Sequence, residues 1–198
     1  MARIDSSRNQ RNRTRVAQLA ARLIAEHGLA DWSMAKRKAC RQLGLDDKES
    51  LPGNEEIQQA LRDYNSLFRA AEHAEALLRQ RRSALRWMER LRRWRPVLVG
   101  GVAAGWATEH SDVRVELEAD DAKSVELALI NAGIDYSPID ASRAPASELL
   151  VGRGADAVRL VILTPQQRRN RPRGDEDQRM TLAELRTHLD ADASSREA

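Results

Sequence analysis

Four side chains and two glycines in the middle of the chain are the residues most able to do chemistry. Gly100 and Gly101 close a short apolar run. Eleven residues later Asp112, Arg114 and Glu116 alternate with Val113, Val115 and Leu117. Alternation at period two puts Asp112, Arg114 and Glu116 on one face of a strand, with same-face neighbours about 7 Å apart. A glycine pair lets a ligand approach the backbone. If a helix starts there, its free N–H groups favour phosphate. Acids on the next strand could hold divalent ions against that phosphate, the arrangement that two-metal phosphoryl transfer requires. Arg159, in the later apolar segment "DAVRLVIL", is a second guanidinium that could face the same place.

The elements that would carry these residues can be read from periodicity. The first half is helical. "TRVAQLAARLIAEHG" repeats apolar residues at helical spacing and ends at Gly28. "DWSMAKRKACRQLG" is a second helix, with Asp31 or Ser33 as cap and Gly44 as stop. After a loop, "LDDKESLPG", Asn54 is placed as the cap of a third helix. A fourth covers roughly 72–94, and its outer faces are rich in arginine up to Pro96. The pattern then changes to strands at "PVLVGG", "DVRVELEA", "SELLVG" and "DAVRLVILT". "DDAKSVELALINAG" is a helix among them, and "TLAE" (Thr181 to Glu184) is a capping box for a last helix. The expectation is α+β: a basic helical unit over 14–95, a small α/β unit with a mixed sheet over 97–190, and mobile tails at 1–13 and 191–198.

Over about Val97 to Thr164 this order resembles the minimal nucleotidyltransferase fold, the polymerase-beta-like superfamily. Its motif is an apolar strand, Gly-Gly or Gly-Ser, a short helix, then Asp-x-Asp or Asp-x-Glu on the next strand and a third acid on a later one. Gly100-Gly101, Gly105 and "SDVRV" occupy the matching positions. More widely, "MAKRKACRQLG" and "DDAKSVELALINAG" are similar to a proteobacterial group of nucleotidyltransferase-like proteins with a helical N-terminal part. The resemblance implies phosphate binding at Gly100 and Gly101, and an ion, magnesium in an active enzyme, on Asp112; Glu116 could replace the second acid only if its strand lay deeper in the site than usual.

The departures are chemical. Arg114 stands where the second metal ligand belongs, and a guanidinium repels a cation. The later strand offers Arg159 instead of a third acid. A degenerate, non-catalytic protein is therefore favoured, one that binds a nucleotide, an RNA or a protein partner, with Arg114 and Arg159 on phosphate. The alternatives are an active metal-dependent nucleotidyltransferase using Asp112 and Glu116, and a helix-turn-helix DNA-binding regulator. The rhythm of 14–43 is similar to the start of a TetR-type domain, with Lys36, Arg37, Lys38 and Arg41 exposed. The acidic loop that follows would repel phosphate, so sequence-specific DNA ranks behind.

Composition bounds the rest. The 198 residues are 41% hydrophobic and 32% charged, with a net charge of +3. That balance is uneven: Met1 to Pro96 carries 21 Lys and Arg against 12 Asp and Glu, and Val97 to Ala198 carries 12 against 18. One cysteine, Cys40, excludes an internal disulfide, and no apolar run has the length of a membrane span, so a cytoplasmic protein is expected. Cys40 reads as packing, and the four histidines as loop or surface groups. Trp87 and Trp94, seven apart on one helix face, read as buried rather than as base-stacking residues.

Overall fold

A computed structural model of the chain describes residues 2–29, 31–45, 51–139, 146–170 and 178–197. The fold is α+β, with helices leading and strands following. It divides into two compact units. One is Met1–Ala76 with Trp106–Ser111, and the other is Leu77–Gly105 with Asp112–Ala198. The division thus falls inside a helix, earlier than the break expected at Pro96. No helix among the described residues is long and apolar enough to cross a membrane.

The first unit is built from α1 (Ala2–His27), α2 (Trp32–Leu43), α3 (Asn54–Phe68) and the first turns of α4 (Ala70–Arg90). Residues 2–13, expected as a loose tail, are helical. No glycine or proline interrupts the first 27 residues, and Ala, Arg and Gln favour helix. Small residues set the packing. Ala17, Ala20, Ala21, Ala35 and Ala39 are buried and let the helices approach around Val16, Ile57 and Leu61. Complete burial of side chains such as Ile57 and Leu61 contributes about 2 kcal/mol each. Asp31 caps α2 by accepting from the N–H groups of Ser33 and Met34. Gly53, not Asn54, is the cap of α3, and its N–H donates to the Glu56 carboxylate at 2.7 Å. Asn54 instead accepts from Lys36 Nζ.

Tertiary polar contacts fix the same helices. Arg13 pairs with Glu56 at 2.6 Å, which holds the Glu56 carboxyl below its usual range. Tyr64 donates to Glu26 at 2.7 Å. Arg69 donates to the Ala25 carbonyl and to Glu109, and so ties the 106–111 segment to α1. In that segment Trp106 meets Trp32 edge-on, and His110 lies over Gly28.

The second unit holds the rest of α4, a 3-10 turn (Arg92–Trp94), β1 (Val97–Val99), α5 (Gly101–Ala104), β2 (Val113–Glu118), α6 (Ala122–Asn131), β3 (Tyr136–Ile139), β4 (Ser147–Val151), a second 3-10 turn (Gly154–Asp156), β5 (Val158–Leu163), α7 (Pro165–Asn170), β6 (Arg179–Thr181) and α8 (Leu182–Glu197). The strands form one mixed sheet in the order β3-β4-β5-β2-β1-β6. β1 and β2 are neighbours and run antiparallel. β2 and β5 are parallel, which demands a crossover; α6 and the β3–β4 hairpin supply it. Strands β3 and β6 and helix α7 were not anticipated. β3 reads "YSPI", with no apolar alternation and a proline suited to a sheet edge, and β6 has only three residues. Residues 46–50 of the acidic loop and 171–177 of the polar loop lie outside the described residues. Helix α8 runs to Glu197, so the expected C-terminal tail is also largely helical. It starts on the expected capping box, with Glu184 accepting from the Thr181 N–H at 2.7 Å.

One face of the sheet is apolar. Leu98, Val115, Leu117, Leu149, Leu160 and Ile162 are all buried. Met88, Val125, Leu129 and Leu185 are buried residues of the helices of this unit, and Leu91 is buried in the turn after α4. Trp87 and Trp94 are buried as well, as expected.

Gly28 and Gly44 both end helices at φ near +60°, but a Cβ on Gly28 would sit 2.9 Å from His110 Cγ, while one on Gly44 meets nothing within 4 Å. Gly44→Ala should lower the unfolding free energy by about 1 kcal/mol, the left-handed penalty alone. Gly28→Ala should cost at least about 2 kcal/mol, because steric conflict adds to that penalty. Urea denaturation of both variants checks this; equal losses would mean that His110 moves aside freely.

Candidate functional site

The pairing register lines up the polar face of the sheet in rows. Arg159 of β5, Arg114 of β2, Val99 of β1 and Arg179 of β6 are successive partners across four strands. The next row runs Glu148, Val161, Glu116, Val97, Thr181. Partner residues point to the same side, and strands are about 4.8 Å apart, so an arginine row lies beside an acidic row.

Each acid of this face has a guanidinium. Asp112 accepts from Arg159 at 2.6 Å. Glu148 accepts from Arg159 at 3.0 Å and lies 3.7 Å from Arg114. Glu116, only 1% exposed, accepts from Arg179 at 2.6 Å. Glu118 is paired with Arg95 and Arg168. Burial alone would depress the Arg159 pKa, but its bonds to Glu148 and Asp112 outweigh this and raise it, so this cation is permanent. The Nε atoms of Arg114, Arg159 and Arg179 are buried and make no hydrogen bond, so each fork engages its acids through terminal nitrogens only.

The structure therefore brings Asp112, Arg114, Glu116 and Arg159 together on one sheet face beside the end of β1. The residues do not fit a pair of divalent ions. Asp112 and Glu116 are each engaged by an arginine, Arg114 sits between them, and no cluster of three potential metal ligands occurs among the described residues.

The glycine pair turns the chain between β1 and α5. Gly100 has φ 73° and ψ −156°, a conformation essentially restricted to glycine, and a Cβ there would meet nothing within 4 Å. Its role is to turn the chain; the space above it is open. Gly101 is buried and begins α5, a single turn, too short for a substantial helix dipole. Beneath that turn Arg81 is buried, donates to the Val102 carbonyl and meets His188 of α8; its loss of hydration lowers its pKa.

Two residues of the site were not singled out from the sequence. Glu148 was detectable, because "SELLV" alternates and places it on the face of Leu150. Arg179 was not, because a three-residue strand in a polar stretch carries no pattern. Asp121 caps α6, and Cys40 is buried in the core of the first unit, as expected. Comparison with protein-family models, with curated proteins and with solved structures finds no match to this chain.

Breaking the Arg179–Glu116 pair should be costly. Arg179→Ala leaves a buried carboxylate without its nearest cation and should reduce stability by roughly 3 kcal/mol. The double change Arg179→Met with Glu116→Met should recover most of that loss, since apolar replacement of a buried pair is often near neutral. Urea midpoints of the two variants make the comparison.

Proposed function

We propose that the second unit is a nucleotidyltransferase-like domain that has lost its metal site and binds a nucleotide through arginines. The observation that carries this reading is Arg114. It occupies the place of a metal ligand, and it lies in a row with Arg159 and Arg179 while every neighbouring acid is neutralised. The element order supports the family resemblance: an apolar strand, a glycine turn, one helical turn, then an antiparallel strand preceded by Asp112 and a later parallel strand.

Guanidinium groups recognise phosphate by paired, charge-assisted hydrogen bonds, and they do so without a metal ion. Arg114 is the most exposed of the three, with 42% of its side chain accessible. Its link to Glu148, at 3.7 Å, is also the longest of the pairs on the two rows. It is the group best able to exchange a carboxylate for a phosphate. Arg159 keeps two short contacts and orients the row. Asp112, with 58% of its side chain exposed, gives the row its outer acidic end.

Incubation with labelled nucleoside triphosphates and magnesium or manganese should give no transfer product. Nucleotide binding, read by calorimetry, should survive EDTA. Arg114→Ala should weaken it at least about tenfold, the loss expected for one charge-assisted hydrogen bond. Arg114→Asp should raise affinity for manganese and abolish that for nucleotide. Steady turnover lost specifically in Asp112→Ala would establish the active-enzyme reading instead.

A further inference from the structure

The second unit carries a different set of arginines away from the sheet rows. Arg82, Arg90, Arg92 and Arg93 are exposed, and among the described residues none of them forms an ion pair or a hydrogen bond. Their neighbours show the contrast: Arg86 is neutralised by Asp156, and Arg95 by Glu118. Arg82, Arg86 and Arg90 recur every four residues, so they line one face of α4, and Arg93 continues the line into the 3-10 turn. From Arg82 to Arg93 this stripe extends roughly 16 Å at the helical rise per residue. Two of its members are held in place: Arg90 lies over the Trp87 ring at 5.5 Å and Arg93 over the Trp94 ring at 4.4 Å. Cation–π contact fixes a guanidinium without cancelling its charge.

Beside Arg90 and Arg93 opens a cavity of about 500 Å³, floored by Leu91, Trp94, Leu129 and Ile134. It is apolar within and cationic at the rim. A row of uncompensated cations calls for a chain of regularly spaced anions, and the cavity calls for one flat apolar group attached to that chain. A duplex offers the anions but keeps its bases stacked inside. An acidic peptide offers the anions but no large apolar plane at each charge. A single-stranded nucleic acid offers both.

We propose that this face of α4 binds single-stranded nucleic acid, with phosphates on Arg82, Arg90 and Arg93 and one unstacked base in the cavity between Trp94 and Ile134. This surface is independent of the nucleotide reading of the sheet face, and neither requires the other.

The test uses the full chain and a labelled single-stranded RNA of about 12 nucleotides, within the usual footprint of such sites. Fluorescence anisotropy should show tighter binding of the single strand than of the same RNA annealed to its complement. The logarithm of affinity should fall with the logarithm of salt concentration. Arg90→Ala with Arg93→Ala should make that slope shallower by about 1.4, since each single-strand phosphate contact contributes about 0.7. Ala132→Trp narrows the cavity from its exposed lip. It should lower single-strand affinity about tenfold, the scale of one lost base contact, and leave the salt slope unchanged. Unaltered circular dichroism of each variant confirms folding. Equal binding of duplex, an unchanged slope in the double alanine variant, or an unchanged single-strand affinity in Ala132→Trp overturns the proposal. So does displacement of the RNA by polyglutamate at equal charge concentration, which would make the stripe a surface for an acidic protein.

Discussion

Glu116 is a carboxylate with almost no access to water, and a carboxylate so placed needs a cation within reach. Removing it from solvent costs several kcal/mol, which only close pairing and further hydrogen bonds repay. Arg179 supplies the pairing from β6, reaching across β1 to β2. That reach is possible because the residues between them on the same face are Val97 and Val99, short side chains that leave a path for the guanidinium. Two residues after Arg179 the chain turns at Thr181 through its capping box into α8. The helix then buries Leu185 and brings His188 to Arg81. One buried charge thus governs where the last strand docks, where the last helix starts and what it packs on.

The same requirement explains the chemistry of the sheet face. A two-metal site needs carboxylates that are close together and not already paired, because cations and arginines compete for the same oxygens. Here Asp112, Glu116 and Glu148 share one face, as a metal site would require. But Arg159, Arg114 and Arg179 occupy the next row, and every acid is paired with one of them. A frame of acids that could have served metal chemistry is closed by arginines on three different strands. Acids placed on a partly buried face must be neutralised whatever the face does, so the arginines are a structural necessity.

The helical half of the fold, the β1–β2 pairing and the shared face of Asp112, Arg114 and Glu116 were legible because each rests on a local period: 3.6 for the helices, 2 for β2. Asp31, Asp121 and the Thr181–Glu184 box were legible because capping is chemistry within four residues. The extension of α1 through residues 2–13 was obscured by charge. A polar, arginine-rich segment looks solvated, and helix propensity alone had to outvote that impression. β3, β6 and therefore Arg179 could not be read. Strands of three or four residues draw their stability from the neighbour they pair with, and that neighbour is distant in sequence. The same holds for the neutralisation of Asp112, because its arginine lies 47 residues away. Residue types put Arg114 where the resemblance expects an acid. Only the register showed that the remaining acids were occupied.

The arginines of the second unit fall into two populations with different physical consequences. Those on the sheet face are matched within about 4 Å by acids, so their fields cancel over short distances. Screening by salt has little to act on there. Arg82, Arg90, Arg92 and Arg93 form no ion pair among the described residues, and Trp87 and Trp94 hold two of them in place without reducing their charge. Their field reaches about a Debye length into solvent, roughly 8 Å at physiological ionic strength, and weakens as salt rises. An arginine-rich sequence is therefore ambiguous until partners are assigned. The matched guanidinium groups tie strands of the sheet to one another, and the field of the unmatched ones stays open to solvent.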